Sequence, residues 1–307
     1  MRVTFNAFPD TLLGRLQSLG SEQNKALTQL STGQRISAPS DDAPAMQRIL
    51  NLRTEKKQNQ QFHRNATDGL EKSKVTFSSM EQIKDLLVRA SELAAGINGA
   101  SSENEYFAKS SEINQLIEQG LNVGNTKLRG AYLLAADSPE NPAYTAARDP
   151  QTNKITTVTY AGSQSESAIR ISEDTEIKVG SSVSENEKIA DLLNKLISLR
   201  DAMDAPASAT KAETVIGMRS QGTDNLDELE NTVLSYLSRA GTVQYRLETA
   251  MRDLEVRYEA TEQLISKDAD VDFAEATVRL NRSQMAYQAA IQSGAMIQRN
   301  SLLDYVR

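Results

Sequence analysis

Between Leu226 and Ile265, apolar side chains return every three or four residues for about forty residues: Leu226, Leu229, Val233, Leu237, Ala240, Val243, Leu247, Met251, Leu254, Tyr258, Thr261 and Ile265. This near-heptad register predicts a single helix of ~60 Å at ~1.5 Å per residue. A helix of that length cannot hide its seam in a small globule, so it needs a helical partner along its run. The chain has a second segment that can supply one. From Pro44 to Asn98 a helical pattern carries Ile49, Leu52, Ala66, Leu70, Phe77, Met80, Ile83, Leu87, Ala90, Ala94 and Ile97 on one stripe, interrupted by the polar stretch Lys56 to Gln61. That interruption is expected to be exposed or to face a partner molecule.

Shorter amphipathic segments flank these two. Near the start, Leu12, Leu16, Leu19, Gln23, Ala26 and Leu30 are spaced alternately by four and three, with Leu27 beside them. Pro9 and Asp10 read as start signals and Gly33 as a stop, ahead of a connector rich in small residues. Asp41 and Asp42 then precede Ala43 and Pro44, the order of a helix entry. At the other end, after Asp268, Asp270 and Asp272, a final helix carries Phe273, Leu280, Tyr287, Ile291, Leu302 and Tyr305 among the small residues Ala286, Ala289, Ala290, Gly294 and Ala295. A lone terminal helix is marginal in water, so the two ends must either pack on each other or wait for neighbouring molecules.

The middle has a different texture. Pro139, Pro142 and Pro150 punctuate β-favouring runs at Lys154 to Tyr160 and Ala168 to Ile171, with a turn expected over Asp149 to Asn153. A helix through Tyr106, Ile113, Leu116, Ile117 and Leu121 precedes this stretch, and another through Ile189, Leu192, Leu193, Leu196 and Leu199 follows it, ending near Pro206. The fold class is therefore mainly α: a long antiparallel, coiled-coil-like helical rod formed by the N- and C-terminal segments, with a small β-rich insertion. The expected divisions are an inner helix and connector at 1–43, rod helices at 44–129, the insertion at 130–182, rod helices at 183–267 and a second inner helix at 268–307.

Composition narrows the function. With a net charge of −7 and no Lys/Arg cluster, the surface is not organised around phosphate, which excludes a dedicated nucleic-acid binder. Only 5% of residues are aromatic and Trp is absent, so burial must come from aliphatic seams. The absence of Cys removes disulfides and thiolate chemistry. Neither a membrane-length apolar run nor a basic-then-apolar leader is visible in the sequence.

Few residues offer even a candidate catalytic or metal constellation. His63, the only His, has no sequence partners for a metal or a triad and reads as a packing or solvated residue. Ser208 and Lys211 match S-x-x-K outside any enzyme scaffold. The Asp41/Asp42 and Asp268/Asp270/Asp272 groups are explained more simply as helix-entry acids than as cation ligands. Gly120 and Gly124 are spaced G-x-x-x-G, a sign of close packing. The sequence is read as non-enzymatic, with no cofactor and no metal.

Two runs carry a resemblance. Leu30-Ser-Thr-Gly-Gln-Arg-Ile-Ser-Ala-Pro-Ser-Asp-Asp-Ala-Pro44 resembles the segment after the first helix in the flagellin superfamily, and its Pro39, Ser40, Asp41, Asp42 wording is most like the hook-filament junction family of hook-associated protein 3. Asp270-Val-Asp-Phe-Ala-Glu-Ala276, Leu280, Ala286-Tyr-Gln-Ala289 and Ser301-Leu-Leu-Asp304 are similar to that family's final helix. The resemblance implies a structural part of the bacterial flagellum outside the cell, exported without a cleaved Sec signal. It implies as partners a FlgK-like hook-side protein, flagellin, copies of itself and an export chaperone on the C-terminal region. The residues expected to pack between subunits are Leu12, Leu16, Leu19, Leu27, Leu30, Leu280, Tyr287, Ile291 and Leu302. A filament-forming flagellin and a cytoplasmic coiled-coil adaptor are the alternatives.

Overall fold

The computed structural model describes residues 7–96, 101–136, 138, 140–165, 168–205 and 211–305, with the side chains of 7–10, 211–212, 216–229 and 297–305 excluded. Six helices account for most of it: α1 (Ala7–Thr32), α2 (Ala43–Ala95), α3 (Glu103–Gly124), α4 (Val183–Asp204), α5 (Lys211–Ala269) and α6 (Phe273–Tyr305). Six short strands lie between α3 and α4: β1 (Lys127–Leu128), β2 (Ala131–Tyr132), β3 (Tyr144–Arg148), β4 (Ile155–Tyr160), β5 (Ala168–Arg170) and β6 (Glu176–Lys178). They form three separate antiparallel pairs, β1–β2, β3–β4 and β5–β6. The mainly helical class with strand pairs in the middle is as the sequence predicts. The first helix begins at Ala7, so Pro9 lies inside its first turn rather than ahead of it.

The chain divides into a central unit, residues 60–255, and a terminal unit built from residues 1–59 and 256–307. The central unit holds the main core. Ile83, Leu87 and Ala90 of α2, Ile113 and Ile117 of α3, Leu192, Leu193 and Leu196 of α4, and Val233, Tyr236 and Ala240 of α5 are buried together with Tyr144, Ile155 and Val158 of the strands. Each fully buried Leu or Ile contributes ~1.5–3 kcal/mol of transfer free energy. Every described member of the α5 register from Val233 to Ile265 is buried or half-buried, so one periodic seam serves both units.

Local chemistry fixes the joints. Ser102 and Ser182 open α3 and α4 with reciprocal capping boxes to Glu105 and Glu185. The G-x-x-x-G spacing is used for close approach. A Cβ on Gly120 would fall 2.7 Å from Leu193 Cδ2, and one on Gly124 would fall 2.7 Å from the buried Tyr144 ring. The expected turn between β3 and β4 forms, with the Asp149 carboxylate accepting from the Gln151 and Thr152 amides at 2.7 and 3.2 Å.

A two-stranded sheet leaves two outer edges of unpaired backbone groups, and both edges of β3–β4 are met by an asparagine. Asn125 Nδ2 donates to the Tyr144 carbonyl at 2.9 Å while its Oδ1 accepts from the Tyr144 amide at 3.0 Å. Asn194 does the same to Val158 on the other edge, both bonds at 2.8 Å. Each side-chain amide stands in for a neighbouring strand. The guanidinium of Arg200, 2% exposed, adds a bond to the Ile155 carbonyl at 2.8 Å and is otherwise held by Asn114 and Asp201. A smaller core lies under β5–β6, where Ile171, Ile177 and Val179 pack with Ala66 of α2 and Leu247 of α5.

Candidate functional site

The polar stretch of α2 does not break its helix. Lys56 pairs with Glu262 and sits 5.0 Å from the Tyr258 ring centroid, and Asn59 is buried. Polar side chains thus continue the α2–α5 seam inside the terminal unit, a correction to the expectation that this stretch is exposed or faces only a partner molecule.

Helices α1 and α6 pack antiparallel. Gly33, just past the end of α1, approaches the Phe273 ring at the start of α6, and a Cβ on Gly294 near its other end would fall 2.5 Å from Leu12 Cδ2. On α1 the covered positions are Leu12, Leu16, Leu19, Gln23, Ala26 and Leu30, the seam read from the sequence. On α6 they are Ala276, Leu280, Ser283, Tyr287, Ala290 and Gly294, again alternating by four and three. The α6 seam differs from the sequence reading. Phe273 and Ile291 stand 58% and 48% exposed, because leucines from α1 fill the gap and leave room only for small residues on most of the opposing positions.

The connectors on either side are tied together. Gly33, with φ +70°, ends α1 in the left-handed conformation that favours glycine. The Arg35 amide then donates to the Ala269 carbonyl at 2.6 Å, the Val271 amide donates to the Gly33 carbonyl at 3.0 Å, and Arg35 Nη2 reaches the Asp268 carbonyl at 2.8 Å. The Asp41 carboxylate accepts from the Ser37 and Ala38 amides, both at 3.1 Å, and pairs with Lys25 of α1 at 2.7 Å. The Lys25 ammonium, with those two amides, holds the Asp41 carboxyl well below the usual range. Asp42 caps α2, accepting from the Ala45 amide at 3.1 Å. Arg48 grips Asp268 through Nε at 2.9 Å and Nη2 at 3.2 Å, and lowers its carboxyl pKa. Pro39 and Ser40 form the exposed bend before these acids. The Pro-Ser-Asp-Asp wording is therefore a folding device: one acid fastens the connector to α1 and the other starts α2.

Other acids have equally local work. Asp272 caps α6 through the Ala274 and Glu275 amides, and Asp270 bonds to Ser266. Among the described residues no group of three His, Asp or Glu side chains is placed to hold a metal ion. His63 is half-buried on α2. The Ser208 and Lys211 side chains lie outside the described residues, as does that of Leu302.

What the terminal unit offers outward is apolar surface. Of the fourteen large apolar side chains that stand well exposed among the described residues, ten belong to it, although it is the smaller unit. Leu27 and Ile291 were anticipated; Leu13, Val278, Met285 and Met296 were not. Val278 and Met285, 59% and 65% exposed, sit one heptad apart on the face of α6 that looks away from its α1 seam. A second apolar period on the far side of an already paired helix was the available sequence signal. Leu12, Leu16, Leu19, Leu30, Leu280 and Tyr287 are half-buried.

Family models match both ends: the bacterial flagellin N-terminal helical region over residues 6–138 and the bacterial flagellin C-terminal helical region over residues 223–306, together more than two thirds of the chain. The phase 1 flagellin of Salmonella naestved is 34% identical over 121 residues, 38% of this chain; the chain spans 24% of the length of that curated relative. Among solved structures, a proposed flagellar hook-associated protein from Vibrio parahaemolyticus is similar with a TM-score of 0.63 and 13% identity, covering 75% of this chain and all of that one. FlgL of Xanthomonas campestris is similar with a TM-score of 0.60 and 13% identity, covering 68% of this chain and 97% of that one. With both helical ends matched and most of the fold shared with solved relatives, the chain belongs to the flagellin superfamily and has a FlgL-like fold.

Proposed function

We propose that the chain is a structural part of the flagellum, a junction protein that joins a FlgK-like hook-associated protein on the hook side to the flagellin filament. The observation that carries this reading is the apolar surface of the paired terminal helices, which lies outside their mutual seam and gains burial only against further molecules. The inter-subunit set expected from sequence, with Leu13, Val278 and Met285 added, divides into two parts. The half-buried leucines hold α1 to α6, and the exposed residues meet neighbours. Copies of the chain, flagellin and the hook-side protein are the proposed partners, with an export chaperone on the C-terminal region before assembly. In this reading the chain works outside the cell, leaves it without a cleaved Sec signal and performs no catalysis.

The test is to label the protein and image flagella sheared from cells that produce it. A single label at the base of each filament is the expected result. Label along the whole filament would support the second reading, a filament subunit, which the 34% identity to flagellin favours. Recovery only inside cells would overturn both.

A further inference from the structure

The methionines whose side chains are described fall into distinct classes. Met80 and Met203, each 1% exposed, lie in the main core. Met46 and Met251 are half-buried and pack against the smaller cores. Among the described residues only Met285 and Met296 stand in the open, 65% and 63% exposed, and both belong to α6. Their spacing puts them on one line. At ~3.6 residues per turn, Met296 lies about five turns beyond the exposed Val278 in the same direction, and Met285 falls within about 20° of it. Ala289, also exposed, sits between the two methionines. The line lies on the opposite side of α6 from Ala276, Leu280, Ser283, Tyr287, Ala290 and Gly294, the positions that pack on α1.

Packing inside this molecule does not account for methionine at either position. Helix propensity does not account for it either, since Lys, Gln and Glu serve a solvated helix face equally well. What distinguishes methionine is its thioether, a flexible apolar group that adapts to an irregular surface and that peroxides oxidise. Exposure decides which thioethers a peroxide in solution can reach, and here it selects the two on the outward line of α6 while the core pair is screened by the fold.

We propose that Met285 and Met296 form an oxidation site, at which a peroxide turns the outward face of α6 from apolar to polar before neighbouring molecules cover it. The step is an oxygen transfer. A sulfur lone pair attacks one oxygen of hydrogen peroxide, the O–O bond breaks and the S–O bond of a sulfoxide forms. The departing oxygen takes the proton of the transferred one and leaves as water, so sulfur is oxidised, the peroxide is reduced and no other reactant is needed. The fold survives this change, because neither side chain fills a core and both point away from the α1 seam. Joining does not survive it: a sulfoxide oxygen pressed against an apolar neighbour loses its water and gains no donor. This consequence rests on the proposed assembling role, whereas the reactivity of the two sulfurs does not.

The test begins with the purified full chain in hydrogen peroxide, sampled over time, with the sulfoxide at each methionine read by mass spectrometry and unfolding followed by circular dichroism. Met285 and Met296 should oxidise about tenfold faster than Met80 and Met203 or more, with the unfolding temperature unchanged while only these two are modified. Equal rates at all four, or unfolding as the first two react, would overturn the site. Cells are then given a brief peroxide pulse while flagella grow, and each culture is compared with its own untreated control. Recovery of newly made wild-type chain on sheared flagella should fall about fivefold or more, while the double variant Met285→Leu, Met296→Leu, apolar but without the reactive sulfur, keeps its untreated level. Equal loss in both would overturn the switch. So would normal recovery, without peroxide, of Met285→Gln combined with Met296→Gln, which is polar as the sulfoxide is. Absence of the wild-type chain from flagella of untreated cells would instead overturn the assembling role, with the oxidation rates still deciding the site.

Discussion

The central unit closes on itself and the terminal unit does not. Around Ile83, Ile117, Leu193 and Tyr236, four helices and a strand pair share one core, and even the outer edges of β3–β4 are answered by Asn125 and Asn194. The pair α1 and α6 has one narrow seam, filled on α6 mostly by Ala, Ser and Gly, while Val278, Met285 and Met296 face outward. A seam of small residues brings two helices close but removes little apolar area from water, so it stabilises weakly. The contrast separates a unit that covers most of its large apolar side chains from one that leaves many of them exposed; under the proposed role, the second is the main joining part.

Substitutions can break this contrast, and the largest effect is expected in the central unit. Arg200→Ala removes a fully buried side chain bonded to Asn114 and the Ile155 carbonyl, and should cost the central unit ~2–4 kcal/mol through the cavity and the polar groups left unpaired, since Asp201 is 56% exposed and keeps its hydration. Urea unfolding followed by circular dichroism would read it. A loss below ~1 kcal/mol would mean that the clasp is replaceable by water.

Asp41→Ala should act next, at ~1–2 kcal/mol, the range of lost charge-assisted hydrogen bonds to backbone amides. The loss should be confined to the terminal unit, with faster amide exchange at Ser37 and Ala38. The pH dependence has a definite sign. Because the folded carboxyl is held low, its stabilisation is complete at neutral pH, begins to fall below the ordinary Asp value of about 3.9, and is gone once pH passes beneath the folded value. Wild type and Asp41→Asn should therefore differ at pH 7 and converge in strong acid. A gap that widens on acidification would contradict this.

The smallest effect on stability should come from Leu27→Ser combined with Val278→Ser, within ~0.5 kcal/mol since both side chains are exposed. Assembly should nevertheless fail in this variant. Normal attachment to flagella would return these residues to the ordinary surface.

Much of this was legible in the chain itself. The 4-3 spacing of Leu12 to Leu30 and of Val233 to Ile265 gave the helices and their covered faces, because spacing along a helix maps directly to direction around it. The motif Pro39 to Asp42 marked the joint, though not the division of labour between its two acids, which depends on Lys25 and the Ala45 amide lying where only the folded chain puts them. On α6, Leu280, Tyr287 and the small residues Ala290 and Gly294 form the covered face that the spacing predicts, Ala276 and Ser283 extend it, and Phe273 and Ile291 stay outside it because the α1 leucines fill the gap. Arg200 and the two strand-capping asparagines gave no sequence signal, since nothing near them in the chain reveals a partner 19 to 86 residues away.

The most direct measurement is amide hydrogen exchange of the full chain, first as a dilute monomer and then assembled on flagella. The monomer should exchange much faster in α1 and α6 than in α3 and α4, and assembly should slow α1 and α6 selectively. Equal protection of all four helices in the monomer, unchanged on assembly, would contradict the claim that the terminal pair is completed only by its neighbours.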